Sequence, residues 1–206
     1  MQVRQLLLAL TLLTLVVAPV TAQQSEQQLL EAYLNEDMSV WKAYIDASDM
    51  QQLPADEQLR LLRYEYGFAA AMLSIDNAGA KAYIQRFGEH IEQAKSILSE
   101  ALYNVYMSAY HTYSMRLTMN VFAHGKAIYK CADAAKEADP NEPMVWVAQG
   151  NIHFYTPKMM GGDKRKALDE YNKADSLFML QEDCNTRWEL HAERRNREKC
   201  KEYLQK

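Results

Sequence analysis

The stretch that decides the fold is residues 139–174, DPNEPMVWVAQGNIHFYTPKMMGGDKRKALDEYNKA. Apolar residues recur at helical spacing on both sides of a break that holds Pro157, Gly161 and Gly162. Proline and paired glycines mark loops because they interrupt a helical backbone. The stretch therefore predicts two helices, near residues 142–155 and 164–180, that a loop joins into an antiparallel pair.

Small and aromatic residues follow a fixed order along this helix pair. The order W-x2-L-G-x2-Y, then A-x3-F, with a closing proline, is that of the tetratricopeptide repeat. Trp146 and Gly150 match its first half, and Ala167, Tyr171 and Ala174 match its second half. Small residues at these positions would let the paired helices approach closely, and the aromatic rings would fill the gaps between them.

Residues 120–180 thus resemble tetratricopeptide (TPR)-like exported helical-repeat proteins. Residues 156–167, TPKMMGGDKRKA, look like an insertion found in some of those proteins. The resemblance implies an all-α fold of stacked antiparallel helical hairpins, that is, a TPR-like α-solenoid with degenerate repeats. It implies no catalytic residues.

The remainder of the chain favours the same fold class. Glycine and proline are scarce, with 7 and 5 in 206 residues, while helix-forming residues are abundant. Further helices are expected from Ser25, over residues 38–47 and over residues 186–204. Capping boxes are predicted at Ser25 with Gln28 and at Thr186 with Glu189, because a hydroxyl three residues before Gln or Glu caps a helix start.

The first 22 residues have the pattern of a signal peptide. Arg4 precedes an apolar run from Leu6 to Val17, and residues 20–22, Val-Thr-Ala, have the small-residue ending of a cleavage site. The run is shorter than the roughly 20 residues that a bilayer-spanning helix needs. We expect residues 1–22 to be removed and residues 23–206 to form a single all-helical domain, periplasmic or secreted, without stable membrane insertion.

Charge and motifs bear on the function classes. The formal net charge is −4, which argues against a nucleic-acid surface. The five histidines are dispersed without the spacing of a metal site, and no nucleophile signature is present. We therefore expect no metal, no cofactor, no nucleic-acid partner and no enzymatic activity.

A second stretch, YNVYMSAYHTY at residues 103–113, carries the candidate binding site. Tyr103, Tyr106, Tyr110 and Tyr113 recur at the spacing of one helix face. Four phenols in a dry column would be hard to supply with hydrogen-bond partners. The spacing indicates either ordinary core packing or a half-wet groove in which the hydroxyls face water or a ligand.

Two binding functions remain open from the sequence. One is a non-catalytic module of the cell envelope that binds a protein or peptide in the tyrosine-lined groove. The other is a small-molecule-binding accessory component of a solute-uptake system. An open groove would favour a peptide, whereas an enclosed apolar pocket would favour a small molecule.

Overall fold

A computed structural model describes residues 25–205 of the chain. The signal peptide predicted for residues 1–22 lies outside the described residues. The described part is helical, which confirms the all-α prediction. Its helices are α1 (Glu26–Leu34), α2 (Met38–Ala47), α3 (Ala55–Ile75), α4 (Asn77–Gln93), α5 (Glu100–Thr118), α6 (Val121–Ala138), α7 (Pro143–Tyr155), α8 (Lys164–Phe178) and α9 (Trp188–Leu204). Short 3-10 turns cover Met50–Gln52, Lys158–Met160 and Cys184–Thr186.

Local capping decides where several helices begin. Ser25 and Gln28 form the predicted capping box at the start of α1. Asp163 begins α8 by accepting from the backbone N–H groups of Arg165 and Lys166. Each cap satisfies backbone donors that the first helical turn leaves without a partner.

The capping box predicted for α9 is wrong. Thr186 lies in a 3-10 turn, where its hydroxyl donates to the backbone oxygen of Asp183 at 3.0 Å. Glu189 points into the protein and pairs with Arg63 and Arg187 instead of the helix start. Both side chains have stronger partners than the backbone of α9, so the helix begins later, at Trp188.

Consecutive helices pair as hairpins. The ring of Phe68 on α3 meets that of Tyr83 on α4, with centroids 4.7 Å apart. The hydroxyl of Ser108 on α5 donates to the backbone oxygen of Ile128 on α6 at 3.0 Å. Helices α7 and α8 form the third pair, as the sequence predicts. That the three hairpins stack as a TPR-like solenoid stays a prediction.

The α7–α8 hairpin shows why its small residues are where they are. Ala167, Tyr171 and Ala174 are fully buried. The ring of Tyr171 lies so close to Gly150 that a Cβ there would be 2.6 Å from it. Trp146 is only half buried, because its ring lies under the Lys136 ammonium and its indole N–H donates to the backbone oxygen of Pro140.

The loop of this hairpin also depends on its glycines. Gly161 has a φ of +96°, a left-handed conformation that side chains disfavour. A Cβ on Gly162 would lie 1.8 Å from the backbone oxygen of Thr156. Pro157 precedes the 3-10 turn and fixes the direction in which the chain leaves α7.

Helix α9 bridges the first and last hairpins. At its start, Trp188 packs on Gly67 of α3, where an added Cβ would lie 2.6 Å from the indole. Farther along, Asn196 contacts Asn151 of α7, and the Cys200 thiol donates to the backbone oxygen of Lys164 at the start of α8. Among residues 25–205, no helix has the length and apolarity to cross a membrane.

Candidate functional site

The four tyrosines of α5 divide into two pairs. Tyr103 and Tyr110 face α4 and are half buried, whereas Tyr106 and Tyr113 are buried between α5, α3 and α4. Residues seven apart lie nearly above one another on a helix. This explains why Tyr103 faces the same side as Tyr110, and Tyr106 the same side as Tyr113. The structure therefore does not show the predicted single groove lined by all four tyrosines of α5.

The outer pair has surface partners. The hydroxyl of Tyr103 donates to a Glu92 carboxylate oxygen at 2.8 Å, and the Lys95 ammonium lies over its ring. Tyr110 packs flat against Gly88, where an added Cβ would be 2.6 Å from the ring. These contacts fasten α5 to α4 and leave no open space between them at this point.

The inner pair belongs to an aromatic cluster at the centre of the molecule. Its middle member is Tyr66 of α3, whose ring centroid lies 5.9 Å from Tyr106, 6.1 Å from Tyr113, 6.4 Å from Phe87 and 6.0 Å from Trp188. The Tyr113 hydroxyl donates to the backbone oxygen of Tyr66 at 3.1 Å. Five helices thus contribute one ring or more to one continuous aromatic surface, counting the contact of Trp188 with Trp41 of α2.

Tyr66 is deep in the molecule but remains partly accessible. Its side chain is only half buried although rings surround it on four sides. Burial raises the pKa of its hydroxyl to about 12. A deep side chain that keeps accessible surface borders an open space, and from the rings around Tyr66 we infer a cleft between α3, α5 and α9.

The rim of this cleft is polar. Tyr155 at the end of α7 is 62% exposed, and its hydroxyl donates to Asn196 of α9 at 3.3 Å. Burial raises the pKa of both Tyr155 and Tyr113, and the positive charge of Arg116 opposes that rise at both hydroxyls. Arg116 is exposed on α5, three residues after Tyr113, so the two lie on the same face of the helix. We call the surface formed by Tyr66, Arg116 and Tyr155, with the buried rings of Tyr113 and Trp188 beneath it, the aromatic cleft.

A buried ion cluster lies behind the aromatic cleft and fixes its α9 wall. The Glu189 carboxylate receives the guanidinium groups of Arg63 at 2.9 Å and Arg187 at 3.2 Å. Burial alone would raise the pKa of Glu189, but the two arginines lower it below its ordinary value. Glu189 is therefore charged at neutral pH, and it anchors the start of α9 to α3.

Sequence reasoning placed Tyr113 in the site but missed Tyr66, Trp188 and Arg116. The one signal that could have distinguished Tyr66 is the following Gly67, since glycine in a helix often marks a close approach by another element. The sequence alone does not reveal that the approaching element is α9, more than a hundred residues away.

A second cleft, of about 560 Å³, lies between the end of α1 and the outer face of α9. Its charged lining is balanced, with Arg194, Arg195 and Lys199 against Glu36, Glu198 and Glu202, and Leu34 and His191 complete it. Mixed charges of this kind are typical of a solvated helix face and favour no particular ligand charge. Within residues 25–205, no group of three or more His, Cys, Asp or Glu side chains could hold a metal ion.

Comparisons with known proteins bear on the fold. No protein-family model matches the chain, and no curated protein matches it significantly. Among solved structures, the chain is similar to the HusA haemophore from Porphyromonas gingivalis, with a TM-score of 0.59 and 18% sequence identity. The similarity covers 84% of this chain and 94% of the haemophore. At this identity the likeness is one of fold.

Proposed function

We propose that the chain is a non-catalytic binding protein of the cell envelope, and that its aromatic cleft holds a small, flat, anionic molecule of the haem class. The observation that carries the proposal is the accessible tyrosine, Tyr66, at the bottom of an aromatic cleft with a cation, Arg116, on its rim. The structural neighbour is named a haemophore, and its likeness over most of both chains supports the same ligand class here.

The chemistry of the cleft suits such a ligand. A flat ring system packs favourably on tyrosine and tryptophan rings because both partners are apolar and aromatic. A guanidinium binds carboxylates with two parallel hydrogen bonds, so Arg116 is suited to an acidic side group of the ligand. The exposed Tyr155 hydroxyl on the rim can also form a hydrogen bond with a polar group of the ligand.

A binding role also agrees with the titratable groups of the aromatic cleft. Its phenols have pKa values raised by burial and so remain protonated at neutral pH. General acid–base catalysis works best with a group whose pKa lies near the operating pH. The cleft therefore presents groups that hold a ligand rather than groups that exchange protons with it.

Protein or peptide binding, the other function considered from the sequence, is less favoured. Helix α9 contacts α3 at one end and α7 and α8 at the other. Helix α9 thus occupies the position that a bound peptide would need in order to contact Tyr106 and Tyr113. A small molecule needs only the space that Tyr66 borders.

Export and the TPR-like family assignment remain proposals alongside this one. N-terminal sequencing of the protein from an envelope fraction tests export. We expect a chain that begins at or near Gln23, and an intact Met1 in the membrane pellet would contradict export as a cleaved protein.

Haemin titration tests the proposed ligand class, with the Soret absorbance as the readout. The protein should bind haemin saturably. Arg116→Gln should weaken binding about tenfold to a hundredfold, since a hydrogen bond to a charged group contributes about 1.5–3 kcal/mol. Tyr155→Phe should weaken it less, through loss of one neutral hydrogen bond.

Matched controls lie outside the aromatic cleft. Lys173→Gln removes an exposed cation from α8, and Tyr129→Phe removes an exposed hydroxyl from α6. Both should bind haemin as the unmodified protein does. Absence of saturable binding, or equal losses in Arg116→Gln and Lys173→Gln, would contradict the proposal.

A further inference from the structure

Two neighbouring hairpin loops carry exposed apolar side chains. Met119, Val121 and Phe122 lie where α5 turns into α6, and their exposed fractions are 81%, 49% and 100%. Met159 and Met160 lie in the loop between α7 and α8, and their exposed fractions are 93% and 60%. We call these five side chains the hairpin-tip surface.

Contacts between the hairpins place both loops at one end of the molecule. Gln149 of α7 donates to the backbone oxygen of Ala132 on α6 at 3.0 Å, which aligns the two helices side by side. Nearer the loops, the hydroxyls of Tyr129 on α6 and Thr156 after α7 lie 3.3 Å apart. The α5–α6 and α7–α8 loops therefore point in the same direction.

Positive charge surrounds the hairpin-tip surface. Residues 119–130 and 156–166 contain six basic residues and one acidic residue, a net charge of 6 − 1 = +5, whereas the whole chain has a net charge of −4. The remainder of the chain thus carries −9. The basic residues are Lys126, Lys130, Lys158, Lys164, Arg165 and Lys166.

These cations lack close ion pairs in the described part of the chain. None of the six forms an ion pair there, although fourteen pairs between Lys or Arg and Asp or Glu occur elsewhere in residues 25–205. The one acidic residue, Asp163, is occupied as the cap of α8. Asp163 and Glu170 interact with the Lys166 charge, and the net charge of these loop segments remains positive.

We infer that the hairpin-tip surface docks on an anionic phospholipid bilayer. Apolar side chains on loop tips can enter the headgroup region, while flanking lysines reach the lipid phosphates with their long side chains. Each Lys or Arg near an anionic membrane surface adds to the attraction. Lysine is depleted in protein–protein interfaces, so five lysines among six cations favour a lipid surface over a protein partner.

The inference is independent of the proposed ligand. Docking uses the loop tips, whereas ligand binding uses the space that Tyr66 borders. Both nevertheless concern the same part of the molecule, since Tyr155 on the cleft rim directly precedes the α7–α8 loop. A docked protein would hold the rim of its aromatic cleft close to the bilayer.

Vesicle co-sedimentation tests the inference with the full chain. Vesicles of phosphatidylcholine mixed with phosphatidylglycerol should bind the protein, and vesicles of phosphatidylcholine alone should bind it much more weakly. Phe122→Ser combined with Met159→Ser should weaken binding about tenfold or more, because two exposed apolar side chains no longer enter the bilayer. Lys126→Gln combined with Lys158→Gln should reduce the preference for anionic vesicles, because two of the six cations are removed.

The control variant has the same kinds of substitution, apolar to serine and lysine to glutamine, at positions away from the two loops. Leu180, 82% exposed after α8, lies at the opposite end of that helix, and Lys173 is exposed on its outer face. Leu180→Ser with Lys173→Gln should bind vesicles as the unmodified chain does. Equal binding to neutral and anionic vesicles, unchanged binding of the loop variants, or a protein captured through the same loops without vesicle binding would overturn the inference.

Discussion

At the scale of single residues, Glu193 is a carboxyl group placed where water does not reach it. Its side chain is fully buried on α9, and neither oxygen has a hydrogen-bond partner among the described residues. The closest cation is the Arg197 guanidinium, 3.9 Å away. Burial raises the pKa of Glu193 from 4.5 to about 7; Arg197, Arg194 and Lys201 oppose the rise, and Asp175 adds to it.

This pKa predicts how stability depends on pH. An acid with a raised pKa in the folded state holds its proton longer than in the unfolded chain, so stability falls as the pH rises from 4.5 to about 7. Glu193→Gln keeps the shape and removes the charge. The free energy of unfolding of this variant at pH 8 should exceed that of the unmodified protein by an amount on the order of 2–3 kcal/mol.

Chemical denaturation at pH 5 and pH 8 measures the free energy of unfolding of Glu193→Gln and of the unmodified protein. The two proteins should be nearly equal at pH 5, where Glu193 carries its proton in the folded state. The exposed Glu202→Gln serves as the control and should follow the unmodified protein at both values. Parallel pH profiles for Glu193→Gln and the unmodified protein would show that Glu193 titrates normally.

At the scale of helices, the attachment of α9 depends on Glu189. The buried Glu189 carboxylate compensates Arg63 and Arg187, and removing it leaves them only longer ion pairs, with Glu26 at 3.9 Å and with Asp183 at 3.6 Å. Glu189→Gln should destabilise the protein by roughly 3–5 kcal/mol. Because the pKa of Glu189 is lowered, its contribution is present at neutral pH and is lost as the pH falls through that lowered pKa.

Hydrogen exchange distinguishes a local effect on α9 from a general one. In Glu189→Gln, amide exchange should increase first in α9 and less in the α5–α6 hairpin. Glu198→Gln is the matched control on the same helix, because its ion pair with Lys201 is exposed and contributes little to stability. Unaltered exchange in α9 of Glu189→Gln would mean that other contacts hold the helix in place.

The helices also show which features the sequence could predict and which it could not. A signal that acts within a few residues predicted the helix start at Ser25 correctly, because the cap and its partner are close in the chain. The tyrosine spacing in α5 identified the helix and its period. It could not show that α3 and α4 cover Tyr106, because that depends on tertiary packing. Thr186 failed as a cap because Glu189 has partners on distant helices.

At the scale of the whole molecule, the arrangement follows from two features. Hairpins form wherever short loops join helices with small residues in contact, as at Gly150 and Tyr171. Helix α9 then joins the first hairpin to the last and makes one wall of the aromatic cleft. The helical class and the α7–α8 pair were predictable from the sequence, whereas the cleft was not, since Tyr66 and Trp188 meet only after the chain has folded.

The central claim is that the aromatic cleft is the ligand site, and the location of bound haem iron tests it most directly. Crystals of the protein grown with haemin should show an iron anomalous-scattering peak between α9 and the inner faces of α3, α5 and α7. The porphyrin should lie against Tyr66, with a carboxylate group near Arg116. An iron peak in the open cleft beside His191, or haemin bound only at molecular contacts in the crystal, would contradict the claim.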